Sequence, residues 1–300
     1  MSLRNKNREY GLKDLIKNAL REDIGCGDIT SELLIPKNKK IKAIVLLKEK
    51  AVIAGLGIAE KVFKSIDRKI KFKAKCLDGS LQDAGKILAV LEGSARNILL
   101  AERTALNFLT HLCGVASLVH SFVREVKPFK VKILDTRKTI PGLRNLQKYA
   151  VLLGGGYNHR IGLWDEVLIK DNHLAVARGF RRRASMGIRQ LIEAVKEKKP
   201  KEIKAEIEVK NLRELKEALK ARPDIIMLDN MKLSALKKAV RLRNGYYAIP
   251  RILLEVSGGV NLDNVRTIAK TGVDMISIGC LTHSVKAIDI SLEISREKAS

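Results

Sequence analysis

The sequence predicts an α/β protein with two regions, a compact α+β region in the first third and a parallel β-sheet with intervening helices after it. Two observations favour this division. Short β-like runs lie beside helical patterns in the first third, whereas from Val131 onward short apolar runs alternate with amphipathic stretches, as in successive βα units. A chain of 300 residues, 46% of them hydrophobic, can bury one large core or two smaller ones.

The first third begins with a predicted helix. Its apolar residues recur at helical spacing, at Leu12, Leu15, Ile16, Ala19 and Leu20. A turn is predicted at residues 25–28, and β-like runs follow at Ile41–Leu47 and Ile70–Ala74. The small residues between Ala51 and Ala59 predict the start of another helix.

The remainder of the chain holds six short apolar runs that predict β-strands. They are Val131–Leu134, Val167–Ile169, Ile203–Val209, Ile225–Leu228, Ile252–Val256 and Met275–Ile278. Helix-like segments lie between them, such as 211–219, in which Leu212, Leu215 and Leu219 share one face. This pattern fits either a barrel or an open parallel sheet.

Polar, ionisable or glycine residues follow these predicted strands. They are Asp135, Thr136, Arg137 and Lys138, then Lys170, Asp171, Asn172 and His173, then Glu208, then Asp229 and Asn230, then Ser257, Gly258 and Gly259, and last Gly279. In a barrel the carboxyl ends of the strands converge on one mouth, which holds the active site. We therefore expect these residues to line a single site.

The predicted mouth is rich in positive charge. Arg137, Lys138, Arg160 and Lys170 would lie there, with His159 beside them. Paired Arg and Lys donors suit carboxylates and phosphates, so the sequence predicts a strongly anionic ligand. Any one of these cations alone is more typical of a solvated surface, and it is their shared position after strands that favours binding.

Two carboxylates, Glu208 and Asp229, end neighbouring predicted strands and therefore point into the same mouth. They could hold Mg²⁺ that bridges phosphate oxygens, or stabilise a cationic sugar transition state. A third explanation is that they are salt-bridge partners of the surrounding cations. These roles are not exclusive.

Glycines near the last two predicted strands indicate a phosphate site. Gly258, Gly259 and Gly279 would let backbone N–H groups approach a phosphate closely, and phosphate sites after the last strands are frequent in barrels. The triple glycine 154–156 lacks the context of a dinucleotide site, and we expect it to end a helix that precedes His159.

Composition restricts the function classes. The chain has 58 Lys and Arg against 33 Asp and Glu, a formal net charge of +25, which attracts anions of any kind. Only 4% of the residues are aromatic, so a stacking platform for single-stranded nucleic acid is poorly supplied. We expect a soluble cytoplasmic protein, since there is no signal-peptide pattern and no apolar run of roughly 20 residues. The four separated cysteines predict reduced, mostly buried thiols.

Several short sequence motifs, in a fixed order along the chain, are typical of one protein family. They are Glu22-Asp23, Gly27-Asp28-Ile29-Thr30, the helix-like 101–107, Asp135-Thr136-Arg137-Lys138-Thr139, Pro141-Gly142-Leu143-Arg144, Gly154-Gly155-Gly156, Asn158-His159-Arg160, Lys170-Asp171-Asn172-His173, Glu208-Val209, Leu228-Asp229-Asn230, Ser257-Gly258-Gly259 and Leu281-Thr282-His283-Ser284. Through these blocks, nearly the whole chain resembles the quinolinate phosphoribosyltransferase family. The block that starts at Asp135 is the most specific.

The resemblance implies two domains. An amino-terminal α/β sandwich would span residues 1–112 and be completed by the last helix within 283–300. An incomplete parallel α/β barrel, with fewer than eight strands, would span residues 113–282. The resemblance also implies a homodimer in which Arg103 completes the active site of the partner subunit, and it leaves open whether dimers form hexamers.

The resemblance further implies a reaction. The family transfers the phosphoribosyl group of phosphoribosyl pyrophosphate (PRPP) to quinolinate and decarboxylates it to nicotinate mononucleotide in NAD biosynthesis, with Mg²⁺ and without a redox cofactor. Lys138, Lys170, Glu208 and Asp229 would be catalytic. Quinolinate would contact Arg103, Arg137, Lys138, His159, Arg160 and Lys170, and Thr136 would also bind substrate. Mg²⁺ and ribose would lie at Glu208 and Asp229, and the 5′-phosphate at Ser257, Gly258, Gly259 and Gly279.

Two rival hypotheses stay open. A paralogue of the same fold, such as nicotinate phosphoribosyltransferase or a molybdenum-associated relative, would need fewer cations for an acceptor with one carboxylate. A nucleic-acid-binding protein would use the net charge but would give Glu208 and Asp229 no purpose. A basic insert lies outside the family blocks, at Arg178, Arg181, Arg182 and Arg183, and we expect a mobile surface loop there rather than an anion-gathering element.

Overall fold

The computed structural model describes residues 3–179, 187–246 and 251–295. Arg181, Arg182, Arg183 and the side chain of Arg178 lie outside the described residues. The chain divides into two compact units. The first comprises Met1–His120, Ile140–Gly155 and Ser284–Ser300, and the second comprises Ser121–Thr139 and Gly156–His283.

The first unit is an α/β sandwich. Its helices are α1 (Leu3–Ile24), α2 (Ile29–Leu34), α3 (Leu56–Ile66), most of α4 (Ala95–Val126) and α5 (Arg144–Leu153). Its strands are β1 (Lys40–Leu47), β2 (Ala51–Val52), β3 (Lys71–Ala74), β4 (Leu81–Gln82), β5 (Ile87–Ser94) and, late in the chain, β12 (Ile290–Ile294). The main sheet has the antiparallel order β12-β1-β5-β3, and β2 pairs with β4.

Alternating apolar residues direct one face of this sheet into the core. Val45 and Leu47 of β1 are buried together with Leu91 of β5, and they belong to one cluster with Phe63 of α3 and Leu106 of α4. Burying side chains of this size supplies roughly 1.5–3 kcal/mol each, which is the main force that holds helices against the sheet.

The late segment of this unit differs from the expected last helix. Residues 290–294 form β12, which pairs antiparallel with β1 from Ala43↔Ile294 to Leu47↔Ile290. The local sequence explains the correction, because Ile290, Leu292 and Ile294 alternate with Ser291 and Glu293, and a period of two is typical of a strand.

Helix α4 alone among the described helices is long and apolar enough to cross a membrane, judged by length and composition only. The expectation that no apolar run would approach that length is therefore corrected. Half of the window is buried inside the protein, and Ile98, Ala105 and Leu109 are fully buried in the core of the first unit. Mostly buried core helices of soluble proteins also meet these criteria of length and composition.

The second unit contains a six-stranded parallel sheet in the order β6-β11-β10-β9-β8-β7. Its strands are β6 (Lys132–Leu134), β7 (Val167–Ile169), β8 (Ala205–Val209), β9 (Ile225–Asp229), β10 (Leu253–Ser257) and β11 (Met275–Ser277). All its pairings are parallel. The predicted α/β barrel with fewer than eight strands is confirmed, and all six predicted runs correspond to strands.

Helices connect these strands: α6 (Asp171–Gly179), α7 (Ile188–Lys198), α8 (Leu212–Ala221), α9 (Leu233–Asn244), α10 (Leu262–Ala269) and α11 (Cys280–His283). The predicted helix at 211–219 is α8, and Asn211 caps it by accepting hydrogen bonds from the N–H groups of Arg213 and Glu214. Its Leu215 and Leu219 are buried, as an amphipathic helix requires.

Three local expectations have mixed outcomes. The glycines at 154–156 do end a helix, because Gly154 is the C-cap of α5. The segment 51–59 begins with strand β2 before α3 starts at Leu56. Of the four free cysteines only Cys113 is buried, so the expectation of mostly buried thiols is wrong.

Candidate active site

A cavity of about 580 Å³ opens at the carboxyl ends of the parallel strands. It is lined by every second-unit residue that the sequence assigned to substrate: Thr136, Arg137, Lys138, His159, Arg160, Lys170, Glu208, Asp229, Ser257, Gly258, Gly259 and Gly279. Strand ends converge at one edge of a parallel sheet, so residues far apart in sequence meet there. Leu168, Met227 and His283 are among its other lining residues.

The turn after β6 carries Thr136, Arg137 and Lys138 into the cavity. The N–H of Lys138 donates to Oγ1 of Thr136 at 3.0 Å, and its carbonyl accepts from Oγ1 of Thr282 at 2.7 Å. Thr282 is fully buried. The backbone that bears the lysine is therefore anchored, while the ammonium group is left to a ligand.

Buried Asp135 positions the segment that carries His159 and Arg160. Its Oδ1 accepts the backbone N–H of His159 at 2.9 Å. Nη1 of Arg160 donates to the carbonyl of Glu166 at 2.9 Å, and Arg160 is only 6% exposed. A guanidinium fixed in this way presents its remaining donors to the cavity without having to be ordered by the ligand.

Two buried carboxylates lie behind His159. Nε2 of His159 is 3.1 Å from Oε2 of Glu206 and 3.5 Å from Oε1 of Glu255. Sequence reasoning missed both glutamates. A signal was present, because each precedes a cavity residue by two positions, Glu206 before Glu208 and Glu255 before Ser257, and residues two apart on a strand share a face.

These acids influence how readily His159 binds a proton. Burial by itself lowers the pKa of His159, but Glu206 and then Glu255 outweigh it and raise the pKa above its usual range. On the other side of the ring, the N–H of Arg160 donates to Nδ1 at 2.7 Å. In this geometry the ring proton lies on Nε2, and a second proton on Nδ1 would require the Arg160 peptide to turn. In either charge state, Nε2 lies within 3.5 Å of both acids.

Glu208 and Asp229 end the adjacent strands β8 and β9 and face the same cavity. Burial raises the pKa of Glu208, and the negative charge of Asp229 raises it further, whereas Lys170 lowers it. Two carboxylates that repel each other in one mouth suit a divalent cation, and oxygen donors are those that Mg²⁺ prefers. The residues present therefore fit a magnesium ion.

The glycines form a close-fitting turn after β10. Gly258 and Gly259 have φ values of 93° and 63°, which favour glycine. Asn230, which follows Asp229, is also left-handed at φ 51°, and its Nδ2 donates to Oδ1 of Asp229 at 3.1 Å. After β11, an added Cβ on Gly279 would lie 3.1 Å from Cδ of Lys138. A residue larger than glycine at this position would therefore require the side chain of Lys138 to shift.

Arg103 belongs to the first unit, where it is exposed on α4. Its neighbour Thr104 donates to Oδ2 of Asp23 at 3.4 Å, so two family blocks meet inside this unit. They line a separate cavity of about 290 Å³ with Asn107 and His111. Asp28 has a local role, because its Oδ1 caps α2 by accepting the N–H of Ser31 at 3.0 Å.

Known proteins are similar to this chain over both units. Family models described as the N-terminal and C-terminal domains of quinolinate phosphoribosyl transferase match residues 28–113 and 115–293. A probable nicotinate-nucleotide pyrophosphorylase (carboxylating) of Methanocaldococcus jannaschii is 42% identical over 293 residues, which cover 96% of this chain and 99% of that protein. The nicotinate-nucleotide pyrophosphorylase (carboxylating) of Mycobacterium leprae is 39% identical, with 94% and 96% covered. The structure of the nicotinate-nucleotide pyrophosphorylase from Francisella tularensis superimposes with a TM-score of 0.85 at 39% identity, and covers 95% of this chain and 96% of that one.

Proposed function

The chain belongs to the quinolinate phosphoribosyltransferase family, and we propose that it transfers the phosphoribosyl group of PRPP to quinolinate and releases pyrophosphate and CO₂. The product is nicotinate mononucleotide. The observation that carries the proposal is the division of one cavity into a cationic side and a side of acids and glycines. An anionic acceptor and a magnesium-bound sugar phosphate would each find complementary groups there.

The cationic side suits an acceptor with two carboxylates. Arg137, Arg160 and Lys170 carry fixed charge, Lys138 adds a fourth cation, and His159 lies beside them. Charge-assisted hydrogen bonds from Arg and Lys to carboxylates are stronger than neutral ones and orient the bound ring. A mono-carboxylate acceptor would leave part of this charge unpaired, which favours quinolinate over nicotinate.

The opposite side suits PRPP. Mg²⁺ held by Glu208 and Asp229 would neutralise negative charge on the phosphates and supply electrostatic stabilisation to the departing pyrophosphate. The turn at Ser257, Gly258 and Gly259 brings backbone N–H groups within reach of a 5′-phosphate. No redox cofactor is needed for this reaction.

The chain's own groups then act mainly by position. Holding the two anions side by side sets the pyridine nitrogen against the anomeric carbon, and fixed charges offset the repulsion between them. The nitrogen–carbon bond forms as the carbon–oxygen bond to pyrophosphate breaks, and Glu208 and Asp229 face the positive charge that develops on the sugar. The ring is then a pyridinium, whose positive nitrogen stabilises the electron pair left on the adjacent ring carbon when the 2-carboxylate departs as CO₂. A proton replaces the carboxylate.

We further propose a cytoplasmic homodimer in which Arg103 completes the partner's active site. The exposed position of Arg103 on α4 supports this, because an exposed guanidinium is available to a ligand bound by another subunit. Equilibrium sedimentation would report the dimer. Mixing Arg103→Ala subunits with Lys138→Ala subunits should restore activity in mixed dimers. One of the two active sites would then combine Lys138 of one subunit with Arg103 of the other.

A steady-state assay tests the reaction. Purified protein is supplied with PRPP, Mg²⁺ and either quinolinate or nicotinate, and nicotinate mononucleotide is measured. The proposal is supported if product forms from quinolinate alone and is abolished in Lys138→Ala. The control Lys238→Ala, at an exposed residue of α9, should retain activity. Product from nicotinate alone would assign the chain to the paralogue, and activity with neither acceptor would overturn the substrate assignment.

The proposal includes no nucleic-acid partner. Filter binding of RNA and DNA near physiological salt tests this point, because binding by the net charge alone weakens steeply as salt rises. Tight, salt-resistant retention of nucleic acid would contradict the proposal and favour the rival hypothesis.

A further inference from the structure

The interior of the parallel sheet carries acids where apolar side chains are the rule. Barrel interiors are normally filled by branched apolar residues. In this chain Glu206 of β8 and Glu255 of β10 are both 0% exposed and face inward beneath the cavity. Met227 lies on the strand between them and lines the cavity itself.

These buried carboxylates need a compensating charge. None of their four oxygens accepts a hydrogen bond of good angular geometry within the part of the chain that the structure describes. An isolated ionised carboxylate in such a place is strongly unfavourable. Nε2 of His159 lies within 3.5 Å of an oxygen of each acid.

The side chain of His159 lies against acids through Nε2, and its Nδ1 accepts the backbone N–H of Arg160. The groups that act on it from the packed segments are Glu206 on β8, Glu255 on β10, Glu166 before β7, Asp135 after β6, and Arg160 next in the chain. Ligand atoms of His159, Glu166 and Glu206 all lie within 4.8 Å of one another. The acids therefore form a layer behind the cationic wall of the cavity.

We propose that Glu206 and Glu255 are positioning residues for quinolinate, because they hold the ring of His159 through Nε2 and supply the negative charge that keeps the wall formed by His159 and Arg160 in place. The inference rests on the proposed function, since its consequence is assigned to quinolinate. The acids do not touch the ligand. They act through His159, as second-layer carboxylates do when they orient a histidine.

A merely structural role makes a different prediction. If Glu206 and Glu255 served only to stabilise the barrel, replacing either by its amide would lower the free energy of unfolding. If they act by positioning, the free energy of unfolding should stay about the same, because the remaining acid still pairs with His159 and no buried charge is left without a partner. A positioning role requires that quinolinate affinity falls nonetheless. Loss of affinity without loss of stability separates the two explanations.

The experiment compares Glu206→Gln, Glu255→Gln and the control Glu202→Gln, in which the same charge is removed from an exposed position before β8. KM for quinolinate should rise roughly tenfold in the first two variants, about the effect of losing one hydrogen bond to a charged group. KM for PRPP and the thermal midpoint should not fall below wild type. Glu206→Asp, which keeps the charge, should recover part of the quinolinate affinity.

A second readout needs no substrate. The chain has five histidines, so ¹³Cε1-labelled histidine gives few NMR signals, and His159→Asn assigns the one of interest. In wild type this signal should titrate above the ordinary value of 6.5, and the pKa should fall in both glutamine variants.

The outcomes are distinct. Unchanged KM for quinolinate together with an unchanged His159 signal would overturn the inference, and so would a parallel loss of stability and of affinity for both substrates. If wild type fails to use quinolinate, the proposed function fails, while the NMR titration still decides whether the acids act on His159.

Discussion

An added Cβ on Gly258 would lie 2.2 Å from Oδ1 of Asn230, so these two residues interlock at the ends of neighbouring strands. The N–H of Asn230 also donates to the carbonyl of Ser257 at 2.9 Å. The joint thus fixes Asp229, which precedes Asn230, relative to Ser257, which precedes Gly258. Asp229 and the turn at Ser257 and Gly258 therefore keep a fixed relative position, and the close contact at Gly258 leaves no space for a side chain.

Gly258→Ala should therefore damage the PRPP side of the site. The alanine would meet Asn230 and would also occupy a left-handed backbone, which costs on the order of 1–3 kcal/mol. We expect KM for PRPP to rise more than KM for quinolinate in steady-state assays. Gly187→Ala is the matched control, since its φ is −69° and, among the described residues, no atom lies closer than 4.0 Å to an added Cβ. Equal KM changes for both substrates would contradict this account.

Arg160→Lys should weaken quinolinate binding although the charge is kept. Lysine lacks the planar fork that donates to the Glu166 carbonyl and to a ligand at once, and each hydrogen bond to a charged group contributes about 1.5–3 kcal/mol. The expected rise in KM for quinolinate is about tenfold or more. Arg213→Lys, at a side chain 91% exposed, serves as control. Wild-type kinetics in Arg160→Lys would show that the guanidinium geometry is unused.

Asp28→Ala should destabilise the first unit, because it removes the N-cap of α2, at a typical cost of about 1 kcal/mol. The hydrogen bonds from Ser31 lower the pKa of Asp28 from its ordinary value of 3.8. A lowered folded-state pKa stabilises the protein fully above 3.8, and this contribution is lost as pH falls through the folded-state value. Denaturant titrations at pH 7 and below pH 3 should thus show a difference that shrinks in acid. A pH-independent difference would exclude the cap as its cause.

Gly154→Ala and Gly11→Ala should change stability in opposite directions. An added Cβ on Gly154 would lie 2.5 Å from the carbonyl oxygen of Ala116, and overpacking of this kind costs typically 1–3 kcal/mol. Gly11 lies within α1, and in the part of the chain that the structure describes no atom lies within 4 Å of an added Cβ, so alanine there should stabilise by roughly 0.5–1 kcal/mol. Thermal unfolding of both variants measures the two effects. Destabilisation by Gly11→Ala would indicate an unseen contact of α1.

The cavity-lining residues were predictable because their position follows from chain order alone. Glu208 and Asp229 each follow an apolar run, and a parallel sheet gathers such ends at one edge. Gly258 and Gly279 were predictable for the same reason. The sequence also indicated one helix end, since glycine without a side chain is suited to a helix C-terminus and Gly154 ends α5.

The remainder depended on tertiary contacts, or on local patterns that were outweighed. The position of Glu206 two residues before Glu208 was a signal, but its role depends on His159, which is far away in sequence. The alternation in residues 290–294 indicated a strand, but the family resemblance implied a helix there, and the pairing with β1 corrects it. Cys26 is exposed because of where α1 ends, which spacing between cysteines does not report.

The pairing of β12 with β1 joins strands that lie far apart in the amino-acid sequence. During synthesis, β1 leaves the ribosome long before its neighbour exists, so one edge of the first sheet has unpaired backbone groups until β12 has also been made. Exposed edges of this kind recruit other chains. The nascent protein thus passes through a period of aggregation risk that ends only when β12 is made, and truncation before Ile290 should leave that edge open permanently.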